Sequence, residues 1–329
     1  MDSVESPEVD VSVARTYVEV GAAVITRPDG SFLLGERPEG KVYAGYWEFP
    51  GGKIEPGETP LQGLSRELHE ELGIHVETAY PWITQIFTYP HSTVRLHFFR
   101  VTAWHGEPHG RENQRIAWQR PEESSLAPML PANTPVFRAL SLPPVYAITN
   151  AEEMGPVAFI EHLTSSLASG LRFIQVREKS LSPAELKRFA MSVMACAKVY
   201  GAKVLINSDL SLAEQVGADG VHLTAAQLLT LNERPDFALV GASCHNRQEL
   251  DRAIALGVDF AVLGPVLPTK SHPGMAGLGW DSFGDLAKGC PIPIYAIGGL
   301  QSADLECAWQ AGAHGVAMQR APWQGHSET

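Results

Sequence analysis

Hydrophobic and polar positions divide the chain into two textures. The run Tyr17–Thr26 predicts a strand, Pro28–Gly30 a turn and Ser31–Gly35 a second strand. Between Pro60 and Leu72, the positions Leu61, Leu64, Leu68 and Leu72 recur at helical spacing and predict one buried face. Trp82–Tyr89 and Val94–Trp104 read as further strands. From Val145 onward, short apolar strands alternate with helical segments. Strands are expected at Val145–Thr149, Arg172–Arg177, Lys203–Asn207, Gly220–Leu223, Ala238–Ser243, Phe260–Gly264, Ile294–Ile297 and Gly315–Gln319. Helices are expected at Pro183–Tyr200, Arg247–Leu256 and Ala303–Ala311. This succession predicts a small (β/α)8 barrel, with little room after Gln319 for a full last helix. A doubly wound open sheet is the alternative.

The expected organisation is therefore a flexible acidic stretch at residues 1–16 and an α+β domain at 17–140, its mixed sheet lying between helices. A Pro-containing linker at 141–144 then leads to the barrel at 145–329. The net charge of −12, without a long Lys/Arg run, argues against a nucleic-acid backbone as partner. It leaves room for a small phosphorylated molecule whose charge a metal ion offsets. No apolar run approaches membrane-spanning length, and the N-terminus lacks the pattern of a signal peptide. Cys196, Cys244, Cys290 and Cys307 form no C-x-x-C pair and read as buried thiols of a cytoplasmic protein.

The densest chemical signal runs from Gly52 through Glu58 to Arg66-Glu67-Leu68-His69-Glu70-Glu71-Leu72-Gly73-Ile74. On a helix, Glu67, Glu70 and Glu71 stand at i, i+3 and i+4, so three carboxylates share one face. Like charges so close call for an offsetting cation, and a hard dication with oxygen ligands suits them. The segment resembles the Nudix box, G-x5-E-x7-R-E-U-x-E-E-x-G-U, with U aliphatic, at every specified position. That resemblance implies a Nudix fold and a Mg2+-dependent hydrolase, with Mn2+ as an alternative ion. Arg66 is expected to pair with Glu58, and Gly73 to end the helix.

Trp47-Glu48-Phe49-Pro50-Gly51-Gly52-Lys53-Ile54-Glu55, the loop Trp104–Gln114 and Leu130-Pro131-Ala132-Asn133-Thr134-Pro135-Val136 resemble the MutT branch, the 8-oxo-dGTP diphosphatases. This implies metal ligation by Gly51, Glu67, Glu70, Glu71 and Glu112, and catalysis by Glu67, Glu70 and Glu71. It also implies base reading by Asn133, with Arg37 and Lys53 as further substrate contacts. Asn133 as a simple helix cap is the plainer alternative. The residues Pro90–Arg95 depart from the branch's pattern, which bears on purine selectivity. The implied biology is nucleotide-pool sanitation, in the service of DNA replication and repair.

The second half resembles the thiamine phosphate synthase/TenI superfamily, a TIM-barrel family. The likeness is carried by Phe173–Lys179, Leu205-Ile206-Asn207, Gly217–Leu223, Gly241–His245, Leu263–Lys270 and Ala296–Gly299. Two departures matter. The positions of the family's magnesium-holding aspartates read Ser208 and Thr224-Ala225-Ala226-Gln227, and Asp209 sits one residue late. The basic residue expected past Pro268-Thr269 is His272. Gln175, Arg177, Lys179, Gly298 and Gly299 remain candidates for a thiamine-related phosphate, and His245 for the proton transfer of a tautomerase. Synthase, tautomerase and ligand-binding barrel stay open, as does a thiamine-pathway pyrophosphate as the substrate of the first domain.

Overall fold

The computed structural model describes residues 17–112, 114–121, 125–269 and 276–324. The expected flexible stretch 1–16 and His272 lie outside them. The first domain contains β1 (Val18–Ile25), β2 (Phe32–Glu36), β3 (Trp47–Glu48), β4 (Gly51–Lys53), helix α1 (Pro60–Leu72), β5 (His75–Tyr89), β6 (Ser92–His105), β7 (Ile116–Gln119) and helix α2 (Thr134–Leu140). The strands form two sheets. One is mixed, in the order β4-β1-β6-β5, with β1 and β6 parallel; the other is antiparallel, β3-β2-β7.

Burial follows strand alternation. On one face, Ala23, Ile25, Phe99 and Val101 receive Leu64, Leu68 and Leu72 of α1. On the other, Ala22, Val24 and Phe98 join Phe49 against Val136 and Ala139 of α2. Leu61, expected on the buried face, is exposed and borders a shallow cleft with Tyr80 and Glu306. Strand β5 is much longer than expected. Its register against β6 shifts between Pro81 and Thr84, an irregularity at which the ladder tolerates a proline.

The second domain is a closed barrel of parallel strands, which excludes the open sheet. Its strands are β8 (Val145–Ile148), β9 (Phe173–Val176), β10 (Lys203–Asn207), β11 (Gly220–Leu223), β12 (Leu239–Cys244), β13 (Phe260–Leu263), β14 (Ile294–Ile297) and β15 (Gly315–Met318). Closure comes from β15 pairing with β8. Tyr146, Phe173, Phe260 and Tyr295 fill the lower interior, with Tyr146 stacked on Phe173 and Phe260 edge-on to the other three rings. After β15, the chain makes a 3-10 turn at Ala321–Trp323 that buries Trp323.

The first domain docks beneath this barrel, at the N-terminal ends of its strands. Arg100 of β6 donates to His314 O at 2.7 Å and to His314 Nδ1 at 2.8 Å, and its guanidinium lies 4.3 Å from the Trp82 ring. His314 Nε2 in turn donates to Leu142 O at 2.9 Å, so the ring is held as the neutral tautomer protonated at Nε2. Thr84 N donates to Cys290 O, and the Gln85 amide to Pro291 O, along the edge of β5. Cys307, expected to be buried, is exposed, and Cys196 is half-buried; all four thiols are free.

Candidate functional site

Helix α1 is fixed at both ends. Thr59 and Gln62 form a capping box, Pro60 takes the first turn, and Gly73 closes the helix in the left-handed region at φ 71°. With Leu64, Leu68 and Leu72 buried, the adjoining side carries Glu67, Glu70 and Glu71. The turn before it brings backbone into contact with these carboxylates. A Cβ on Gly52 would lie 2.2 Å from the Glu67 carboxylate, and one on Gly51 would lie 2.1 Å from Gly21 O. Each glycine is there because no side chain fits.

Arg66 organises the acidic face. It donates to Glu58 at 2.9 and 3.0 Å, to Glu67 at 2.8 Å, to Glu70 at 3.3 Å and to Lys53 O at 2.9 Å. The arginine holds the Glu58 carboxyl down at about 2. Glu71 shows the opposite behaviour. Burial first, and then the negative charges of Glu48 and Glu67, push its carboxyl up to about 7, with Lys41 opposing them. Glu70 is the most solvent-exposed of the three.

Glu112 reaches this site because its loop is sewn to the end of α1. His109 N donates to Leu72 O, Arg111 N to Glu71 O, and the Gln114 amide to Glu71 O. Lys41, from the loop between β2 and β3, pairs with the Glu112 carboxylate. That loop is pinned by hydrogen bonds between Arg37 and Tyr46 and from Arg37 Nε to Val42 O. Among the described residues, no three side chains already converge as a finished metal seat; Arg66 and Lys41 hold several of the oxygens. The donor set still fits a hard dication. It is all oxygen, it carries excess negative charge, and Glu71 stays hard to ionise without a cation.

A second cluster lies beside the carboxylates. Glu48 is half-buried, and desolvation raises its carboxyl; it pairs with Arg37 at 2.6 Å. Arg37, expected to contact substrate, thus has this ion pair and the Val42 carbonyl as its partners. The Tyr89 hydroxyl, close to Glu48, meets the backbone of Ala132. Asn133 follows in the 3-10 turn Pro131–Asn133, held in place by Leu130 N donating to Trp47 O. Asn133 is 2% exposed and makes no side-chain cap to α2, and its Nδ2 has no partner. An unpaired buried donor costs about 1–3 kcal/mol, so the simple cap does not explain this residue. Lys53 is exposed at the end of β4. Sequence reasoning passed over Glu48, Lys41 and Tyr89. The available signal was a carboxylate between Trp47 and Phe49, both of which are buried.

At the barrel mouth, several polar groups are engaged with the fold itself. Asp209 caps the helix Leu210–Val216 by accepting from Leu212 N at 2.9 Å. Gln227 closes a capping box with Thr224 and donates to Ser208 O at 2.7 Å. Gln175, expected to line the mouth, points into the barrel and donates to the Tyr146 hydroxyl at 3.1 Å. His222 bonds Ser243 Oγ at 2.9 Å, and burial pushes its ionisation down to about 3. Glu178, beside the candidates Arg177 and Lys179, accepts from Ala151 N and Glu152 N. His245 Nδ1 pairs with Glu249 at 2.9 Å. Gly298 and Gly299 follow β14, where a Cβ would strike Pro265 at 2.6 Å or Pro268 O at 2.7 Å. Close packing alone therefore accounts for the glycine pair.

Two family models match the chain: the NUDIX domain over residues 16–140 and thiamine monophosphate synthase over residues 145–321. A CTP pyrophosphohydrolase of Escherichia coli is 40% identical over 122 residues, 37% of this chain and 90% of that protein. An 8-oxo-dGTP diphosphatase of Haemophilus influenzae is 38% identical over 126 residues, 38% of this chain and 93% of that protein. A putative thiamine-phosphate synthase of Aquifex aeolicus is 35% identical over 181 residues, 54% of this chain and 96% of that protein. The two halves thus resemble two separate proteins joined end to end.

Proposed function

From a chain that belongs to the Nudix family over residues 16–140 and to the thiamine monophosphate synthase family over residues 145–321, we infer a magnesium-dependent nucleoside triphosphate diphosphatase carrying a barrel without a synthase metal site. Water attacks the β-phosphorus, the bond to the α-phosphate oxygen breaks, and nucleoside monophosphate and pyrophosphate leave. The carrying observation is geometric: Glu67, Glu70 and Glu71 on α1, the Gly51-Gly52 backbone against Glu67, and the Glu112 loop bonded to the end of α1 form one all-oxygen acidic site. Glu67, Glu70, Glu71, Glu112 and the Gly51 carbonyl are the groups that would hold the ion. A bound dication neutralises polyphosphate charge and acidifies water. Glu67, close against Gly52, is the residue to take the proton of the attacking water.

For the base, the unpaired Nδ2 of Asn133 favours a nucleobase presenting an acceptor edge, such as the oxidised purine of 8-oxo-dGTP. The E. coli relative's name makes CTP the necessary comparison. A release assay over 8-oxo-dGTP, dGTP, CTP and hydroxymethylpyrimidine diphosphate tests the reading, with wild type beside Glu70→Gln and Asn133→Ala. A triphosphate should give monophosphate and pyrophosphate, Glu70→Gln should lose turnover, and Asn133→Ala should raise KM for the preferred base. Turnover of the pyrimidine diphosphate alone would overturn nucleotide sanitation and favour a thiamine-pathway hydrolase, the second reading that the fused barrel supports. For the barrel, the self-engaged Ser208 and Gln227 favour a ligand-binding or tautomerase role that needs no metal. A thiazole tautomerisation rate lost in His245→Ala would decide for the tautomerase.

A further inference from the structure

The loop between β2 and β3 carries one cation into the acidic site from outside the Nudix box. Lys41 pairs with Glu112 across 71 residues of sequence, and the electrostatic influence of Glu71 also reaches it. The loop that delivers it is held in shape. Gly45 N donates to Arg37 O at 2.9 Å, and Arg37 Nε donates to Val42 O at 2.8 Å. Tyr43 takes the left-handed φ of 62°, and its ring packs 5.5 Å from Tyr89 and 6.3 Å from His91. A non-glycine residue in that region persists only where its surroundings hold it. The aromatic contacts therefore fasten the loop over the site two residues from Lys41.

An exposed ion pair of this kind adds little to stability, so its position matters more than its strength. An ammonium on Glu112 competes with a dication for the same oxygens. Once displaced, it stays tethered beside the site, and a bound polyphosphate supplies the nearest new negative charge. Lysine suits such an exchange because its charge is compact and its stem flexible.

We propose that Lys41 is a tethered counter-ion that holds Glu112 before metal enters and then passes to the terminal phosphate of the substrate. It is a substrate-positioning residue carried by the loop between β2 and β3, outside the Nudix box. The proposal rests on the Nudix half being a nucleoside triphosphate hydrolase, and the test separates the two claims. In the full-length protein without nucleotide, Mn2+ binding followed by electron paramagnetic resonance should tighten roughly two- to fivefold in Lys41→Met, because a competing ion pair is removed. In turnover assays, Lys41→Met should raise KM for the triphosphate by roughly tenfold with kcat little changed, and Lys41→Arg should restore it. Equal Mn2+ affinity in wild type and Lys41→Met overturns the proposal, as does an unchanged KM. If wild type turns over no triphosphate, the hydrolase reading falls, while the Mn2+ titration still reports whether Lys41 guards Glu112.

Discussion

The acidic face of α1 and the mouth of the barrel are both places where family resemblance puts a magnesium ion, and they differ in what their polar groups already do. On α1, Glu71 is forced toward its neutral form by burial and like charge, and Asn133 nearby keeps a buried donor unpaired. At the mouth, Asp209 caps a helix, Gln227 bonds Ser208 O, and Glu178 caps another helix start. Unmet electrostatic demand marks the first as a place built for something absent from the fold itself. Satisfied demand leaves the second without a call for a metal ion. A buried polar group costs free energy unless it is paired, so an unpaired one that persists calls for a functional explanation.

Breaking the acidic site should have the largest effect. Glu67→Gln removes the proposed proton acceptor and should lower kcat by about a thousandfold without changing the fold, measured by pyrophosphate release and far-ultraviolet dichroism. An active Glu67→Gln enzyme would move the base to another carboxylate. Next comes the joint between the halves. Arg100→Ala leaves His314 O and the Trp82 face without their partner in a buried seam. It should destabilise the whole chain by about 2–4 kcal/mol in a chemical-denaturation curve. A value near zero would show that the two halves stand independently.

The barrel's buried histidines set a pH dependence of their own. His222 is pushed from 6.5 down to about 3, and His314 well below its ordinary value, both chiefly by burial. Between about pH 6.5 and 3, the unfolded chain takes up protons that the folded His222 refuses. Stability should therefore fall with pH across that window, by up to about 1.4 kcal/mol per pH unit for each histidine. His222→Gln should flatten the profile; an unchanged slope would place the acid sensitivity elsewhere. The smallest effect belongs to Ser208→Asp. A lone aspartate opposite Gln227, without its second carboxylate, should give no magnesium-dependent rise in Tm. A clear rise would mean that the barrel keeps a metal seat despite its sequence.

Much of this was legible in one dimension. The 13-residue span of α1, its buried Leu64, Leu68 and Leu72, and the left-handed Gly73 follow from local periodicity and capping. The β10, β11 and β14 ranges match their apolar runs because short buried strands are bounded by turn residues. Other features were hidden. The first half of β5 contains a proline and polar residues, and its strand character comes from pairing with β6. Gln175 read as a mouth residue because it precedes Arg177, but its partner Tyr146 comes from another strand.

By itself, then, the chain's order of residues determined where α1 and most barrel strands form, that three glutamates share a helix face, and that Ser208 and Gln227 offer no carboxylate. These properties depend on neighbours a few positions apart. Only the tertiary structure decided that Lys41 meets Glu112, that Glu48 adds its charge to Glu71, and that Arg100 finds His314. Those encounters join residues far apart in sequence. Their energies depend on burial and distance, which exist only once the chain has closed on itself.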